Sequence, residues 1–257
     1  MQARTVSKTG LGTAITQTTI AASNVSISIP AEKGGTLIAV EAESFGILET
    51  VVNTGGLVAL HNSAEHWEPF EFWTGSQTTV TAGGLVATPT RILCHMALPS
   101  NSTVTVDFTP QDNQSQQLAV TLYWIRGAYT GGAQTFAKSG VSAALSATSR
   151  SVATTVQIPG GHSGTLKALQ VINFGTVETV KNSGGKVEVE NDAVDIIPCM
   201  FYTPLQTTVG AAGGGLFEQP MLVPKDDPAP ENSTYLFYFT PYDDQSQIFG
   251  VSVIWEA

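Results

Sequence analysis

The sequence predicts an all-β protein made of two tandem, repeated eight-stranded β-sandwiches of jelly-roll or similar Greek-key topology. Two observations carry that expectation. One stretch of sequence recurs later in the chain with few insertions or deletions, and repetition on this scale means one structural unit built twice. Within each copy, short runs that alternate apolar and polar residues are separated by turn-forming residues, the signature of strands with one buried face.

The repeat can be followed from end to end. Thr5-Val6-Ser7-Lys8-Thr9-Gly10-Leu11 matches Thr135-Phe136-Ala137-Lys138-Ser139-Gly140-Val141. Ile29-Pro30 matches Ile158-Pro159, and Thr36-Leu37 matches Thr165-Leu166. Phe45-Gly46, Glu49-Thr50-Val51, Asn53, Gly55 and Gly56 match Phe174-Gly175, Glu178-Thr179-Val180, Asn182, Gly184 and Gly185. Gln77-Thr78-Thr79-Val80 matches Gln206-Thr207-Thr208-Val209. Towards the ends, Asn101-Ser102-Thr103, Phe108-Thr109-Pro110, Gln114-Ser115-Gln116 and Trp124 match Asn232-Ser233-Thr234, Phe239-Thr240-Pro241, Gln245-Ser246-Gln247 and Trp255. These matches set a first sandwich at 1–127, a linker at 128–134 and a second sandwich at 135–257. A linker this short is expected to hold the units side by side.

Alternation is clean in Val25-Ser26-Ile27-Ser28-Ile29, Val104-Thr105-Val106-Asp107-Phe108 and Leu118-Ala119-Val120-Thr121-Leu122. Val187-Glu188-Val189-Glu190 and Phe249-Gly250-Val251-Ser252-Val253 repeat it in the second unit. The continuous run Thr36-Leu37-Ile38-Ala39-Val40 reads as a strand covered on both sides. Turns are marked by Lys33-Gly34-Gly35, Asn53-Thr54-Gly55-Gly56, Ala82-Gly83-Gly84, Pro99-Ser100-Asn101 and Pro110-Gln111-Asp112. No segment carries a convincing helical period; the best candidate, Val141 to Ala147, is short.

Composition narrows the function. Only 12% of the residues are charged and the net charge is −10. Eleven basic residues scattered along the chain cannot displace the counterions that nucleic acid holds; direct nucleic-acid contact and binding to an anionic membrane are disfavoured. A surface built from Thr, Ser, Asn, Gln and Gly desolvates more cheaply than an ionic one and suits contact with neighbouring subunits. The polar N-terminal stretch lacks the apolar core of a secretory signal. No apolar run is long enough for a transmembrane helix. Cys94 and Cys199 fall at unequal places in the two units and read as buried thiols, not a disulfide.

No catalytic constellation emerges. His61 and His66 lie near Glu65, Glu68 and Glu71, but without a metal-ligand spacing; a solvated loop is expected. The loops Thr109–Gln116 and Thr240–Gln247 are acidic enough for calcium but lack a full ligand set, so turns are expected. Glu41 and Glu43 share one strand face, yet their counterparts are Gln170 and Ile172. No nucleophile elbow occurs, and Gly213-Gly214-Gly215 lacks the Lys and Ser or Thr of a phosphate loop. Trp67, Phe70, Phe72, Trp73, Phe201, Tyr202, Trp124 and Trp255 are read as core, with a sugar-stacking platform as the alternative. The sequons at Asn101 and Asn232 are read as turns.

Two jelly-roll-like sandwiches in tandem, low charge and Gly-, Thr-, Ser- and Ala-rich strands together resemble the double jelly-roll coat proteins of icosahedral viruses. The resemblance covers the whole chain as architecture, and no specific motif carries it. It implies a structural subunit of a virus capsid or comparable shell, found in the virion after assembly in the host cytoplasm. Its partners would be further copies of itself, as a homotrimer or larger assembly, and other shell proteins. The units lack long insertions, which leaves open a decoration or minor shell protein. The expectation is of a non-enzyme, with no cofactor and no catalytic, cofactor-binding or metal-ligating residues. The alternative is an extracellular carbohydrate-binding or adhesin module or, further off, a β-sandwich glycosidase or lyase.

Overall fold

In a computed structural model, the described residues are 5–15, 18–46, 55–75, 78–80, 84–86, 89–111, 116–129, 131–146, 148–175, 184–194, 199–203, 220–244 and 246–257. The first half of the chain forms β1 (Thr5–Leu11), β2 (Ala21–Ser28), β3 (Gly35–Gly46), β4 (Gly56–Asn62), β5 (Glu71–Trp73), β6 (Thr78–Val80), β7 (Gly84–Val86), β8 (Thr90–Leu98), β9 (Thr103–Pro110) and β10 (Gln116–Arg126). The second forms β11 (Thr135–Val141), β12 (Ser151–Gln157), β13 (Gly164–Gly175), β14 (Gly185–Asn191), β15 (Cys199–Tyr202), β16 (Met221–Ala229), β17 (Thr234–Pro241) and β18 (Gln247–Glu256).

Four four-stranded sheets result, in the orders β1-β10-β3-β8, β2-β9-β4-β5, β11-β18-β13-β16 and β12-β17-β14-β15. The neighbours in these sheets run antiparallel. Sheet orders in which the first strand pairs with the last and the second with the next-to-last are the jelly-roll wrap. The fold expected from sequence is therefore present, twice, and no helix occurs among the described residues. The Ala-rich stretch read as a helical candidate instead closes β11 and continues as a bridge, in which Leu145 exchanges two backbone hydrogen bonds with Gln247.

The alternation decides which side chains meet inside. Along β9, Val104, Val106 and Phe108 point inward, opposite Val120 and Leu122 of β10; Val58, Leu60, Val40 and Trp124 complete the packing. In the second sandwich Phe237, Phe239, Phe249, Val251 and Trp255 do the same. The two copies share fine detail. A β-bulge falls between Leu37 and Ala39 in β3 and between Leu166 and Ala168 in β13. Gly35 and Gly164 lie where a Cβ would overlap the carbonyl oxygen of Ile125 or Glu256, so only glycine fits there. Asn101 and Asn232 take φ of 57° and 60° in equivalent turns.

Candidate functional site

The histidine cluster is partly real. His61 on β4 places Nδ1 2.7 Å from Glu68 Oε1 and Nε2 3.2 Å from Asp107 Oδ2 on β9. An imidazolium donates to both carboxylates, whereas a neutral ring can donate to only one. Asp107 also accepts from the Ser23 amide. Glu65 and His66 stand apart in solvent, and Glu71 turns towards the second sandwich. No cluster of three or more His, Cys, Asp or Glu able to hold a metal occurs among the described residues.

Of the acidic loops, residues 112–115 and Gln245 lie outside the described residues, as do Gly213-Gly214-Gly215. The retained glutamines open the last strands and point inward. Gln116 Oε1 accepts from Ser44 at 2.7 Å, and Gln247 Oε1 from the Asn173 amide at 2.6 Å.

Glu41 and Glu43 do share one face of β3. Glu41 is held by Arg91 at 2.8 Å and by the Tyr123 hydroxyl at 3.3 Å, and the Arg91 guanidinium lies 4.7 Å from the Tyr123 ring. Burial, followed by repulsion from Glu41, pushes the Glu43 carboxyl above its ordinary range.

The aromatic cluster is core. Trp67, Phe70, Phe72, Trp73, Trp124 and Trp255 are all buried, and Phe201 packs against the second core. Trp124 and Trp255 donate to the carbonyls of Lys33 and His162, each at 2.7 Å. Tyr202 is the exception. It is 64% exposed, and its ring lies 5.8 Å from that of Tyr242, itself 54% exposed. In the sequon turns, Ser102 and Ser233 turn their hydroxyls back to the carbonyls of Pro99 and Pro230. Cys94 and Cys199 are free and buried, and burial raises both thiols, Cys94 far above the ordinary range.

The most elaborate polar arrangement joins the two sandwiches. Trp73, 3% exposed, sits on the outer face of β13 and β18. Its indole donates to the Val251 carbonyl at 3.1 Å. Its backbone amide donates to Gln170 Oε1 at 2.8 Å, and Gln170 Nε2 returns a bond to the Trp73 carbonyl at 3.0 Å. Ser252 donates to Gln170 Oε1 at 2.9 Å and shares a 2.7 Å hydroxyl contact with Ser139. The edge of β11 is closed by the preceding segment: Pro69 O accepts from the Ala137 amide at 3.0 Å, and Glu71 Oε2 from the Ser139 amide at 3.2 Å. Leu57, Trp73, Ile172 and Ile248 form a small apolar cluster beneath it. A cleft of about 390 Å³ opens alongside, between Leu93 of β8 and Leu222 of β16, with Arg91 and Lys167 also lining it.

Gln170 and Ser252 were not singled out as functional by their sequence context, and Glu71 was read only as a neighbour of His61 and His66. The signal that marks them is the mismatch between the repeats, since Gln170 and Ile172 stand where Glu41 and Glu43 do. A face covered in one copy and open in the other leaves such a trace.

No protein-family model and no curated protein matches the sequence. Among solved structures the chain is similar to PNGase F, a glycosylasparaginase from Flavobacterium meningosepticum, with a TM-score of 0.46 and 7% identity over 99% of this chain and 96% of that one. It is similar to the major capsid protein P2 of bacteriophage PM2, with a TM-score of 0.36 and 11% identity over 98% of both chains. It is also similar to the empty particles of cowpea mosaic virus, with a TM-score of 0.34 and 8% identity over 97% of this chain and 89% of that one. The architectural resemblance to capsid proteins read from the sequence thus holds as a likeness of fold, without a shared motif. The assignment of the chain as a non-enzyme is corrected. A glycosylasparaginase is among the solved structures to which the chain is similar, and a fold by itself does not decide function.

Proposed function

We propose that this chain is a structural subunit of a virus capsid or comparable protein shell, self-assembling through the surfaces of its β-sandwiches. The observation that carries the reading is the Trp73–Gln170 contact. One sandwich already docks on another copy of the same fold by a buried, hydrogen-bonded, heterologous interface. Such an interface pairs two different patches and therefore leaves one unused patch on each partner, which is the geometry that builds rings and lattices. The low-charge surface supports the same reading, because hydroxyl and amide groups desolvate more cheaply than ions. In this proposal the units 1–127 and 135–257 form one rigid body, assemble as trimers or larger closed forms with other shell proteins as neighbours, and reside in the virion.

The test is the mass of the full chain in solution over a range of concentrations, with electron microscopy of the same sample. Closed oligomers, shells or lattices are expected. A monodisperse monomer at high concentration and physiological salt overturns the reading.

A second reading has one specific observation in its favour. The exposed Tyr202–Tyr242 pair offers two rings on one surface, the arrangement on which a sugar face stacks. An extracellular carbohydrate-binding module predicts glycan binding by the monomer that is lost in Tyr202→Ala.

A further inference from the structure

The internal repeat assigns every surface of one sandwich to a surface of the other. Strand register makes the assignment residue by residue. Thr5 pairs with Ile125 and Thr135 with Glu256; Thr121 pairs with Glu41, and Ser252 with Gln170; Leu57 pairs with Trp73, and Lys186 with Tyr202. The face of β11, β13 and β18 that takes Trp73 therefore has its counterpart on β1, β3 and β10. The β5 surface that docks there has its counterpart on β15. Among the described residues, neither counterpart carries a docked sandwich. β1 alternates between exposed and half-buried residues, whereas β11 begins with three buried ones. Met200 and Tyr202 on β15 are exposed.

Both free surfaces retain parts of the joint. The hydroxyl pair Ser139–Ser252 recurs as Thr9–Thr121, 2.8 Å apart. Tyr202 stands where Trp73 stands. The differences are complementary. Within the chain, Leu57 and Ile172 belong to one apolar cluster across the joint. Their counterparts are Lys186, which also lies 3.3 Å from Glu188 on its own strand, and Glu43, opposite charges on two surfaces that no described part of the chain covers. Met200 replaces Glu71, so the bond that Glu71 gives the β11 edge is not copied, and the thioether offers packing in its place.

We propose that the β15 surface of one chain, with Lys186, Met200 and Tyr202, docks head to tail on the outer face of β1, β3 and β10 of a second copy, Lys186 set against Glu43, repeating between chains the contact that joins the sandwiches within one. The proposal deepens the shell reading and rests on it. It also gives the free edge of β1, which pairs with no further strand among the described residues, a cover against uncontrolled strand pairing. The half-buried carboxyl of Glu43, disfavoured as an anion in the isolated chain, gains a cationic partner there.

The test is a charge swap on the full-length chain, read by sedimentation velocity across concentration. Wild type is expected to self-associate. Lys186→Glu and Glu43→Lys are each expected to weaken association tenfold or more, because like charges then meet across the contact. The double variant Lys186→Glu/Glu43→Lys is expected to recover it, which separates a charge contact from a folding defect in either single variant. Self-association of wild type with single variants that assemble equally well overturns this interface and leaves the shell reading standing. So does a double variant no better than the singles. A wild type that stays monomeric throughout overturns both.

Discussion

Trp73 and Tyr202 occupy the same place in the two copies, yet one is 3% exposed and the other 64%. The side chains differ little; what differs is whether a second sandwich lies over them. Trp73→Ala removes the indole, its bond to Val251 and the packing against Ile172, and is expected to cost about 3–5 kcal/mol. Tyr202→Ala, measured at dilutions where the chain is monomeric, is expected to stay within about 0.5 kcal/mol. Urea titration of both variants checks the contrast, and equal losses would contradict the different surroundings of the two residues. Glu43 carries a pH dependence whose sign follows from its environment. Burial and Glu41 raise its pKa in the folded chain, so the folded form holds the proton more tightly than the unfolded one. Stability at this site is therefore full below the ordinary carboxylate range and falls as pH rises through the raised value. Glu43→Gln in dilute solution is expected to raise the melting temperature at about pH 7 and to leave it unchanged at about pH 3. A gain of the same size at both pH values would exclude the burial-and-repulsion account.

The turns before β9 and β17 show how much an element owes to one residue. Asn101 and Asn232 hold left-handed φ, a region that Gly enters freely, that Asn tolerates because its short polar side chain bonds locally, and that costs a residue such as Ala about 1–2 kcal/mol. Asn101→Ala is expected to lose about 1 kcal/mol, and Asn101→Gly to lose nearly nothing. Differential scanning calorimetry of the pair checks it, with Asn232 as the internal replicate. These turns were legible in the sequence because Asn-Ser-Thr recurs at equivalent places in the two copies. Strands such as β9 and β10 were legible because the period of two survives in the letters. β5 was not. Three residues, Glu71 to Trp73, are too few to show a period, and their place is set by what Trp73 reaches in the second sandwich. The stretch from Val141 shows the converse. Its alanines favour a helix locally, but Leu145 is tied by two backbone bonds to Gln247, and tertiary pairing outweighs the propensity.

At the scale of the whole molecule, the first core extends beyond its own sandwich, for Ala137 and Ile254 of the second unit pack into it. The Trp73–Gln170 bonds and the cluster of Leu57, Ile172 and Ile248 add a second, hydrogen-bonded seam. The sequence displayed the duplication and hid this seam, because an interface between repeats is written only in where the repeats disagree. Gln170 against Glu41 and Ile172 against Glu43 are such disagreements, and without a structure they resemble neutral drift on a surface. The seam has a thermodynamic consequence. Two sandwiches joined only by a linker unfold independently, whereas two that share a core unfold together. Wild type is expected to show one calorimetric transition whose van't Hoff and calorimetric enthalpies agree. Trp73→Ala together with Gln170→Ala removes both sides of the seam while leaving each jelly roll its own core, and is expected to split the transition in two. A wild type that already melts in two steps would mean that the docked faces touch without coupling. Joining subunits through the equivalent faces would then contribute little to holding a shell together.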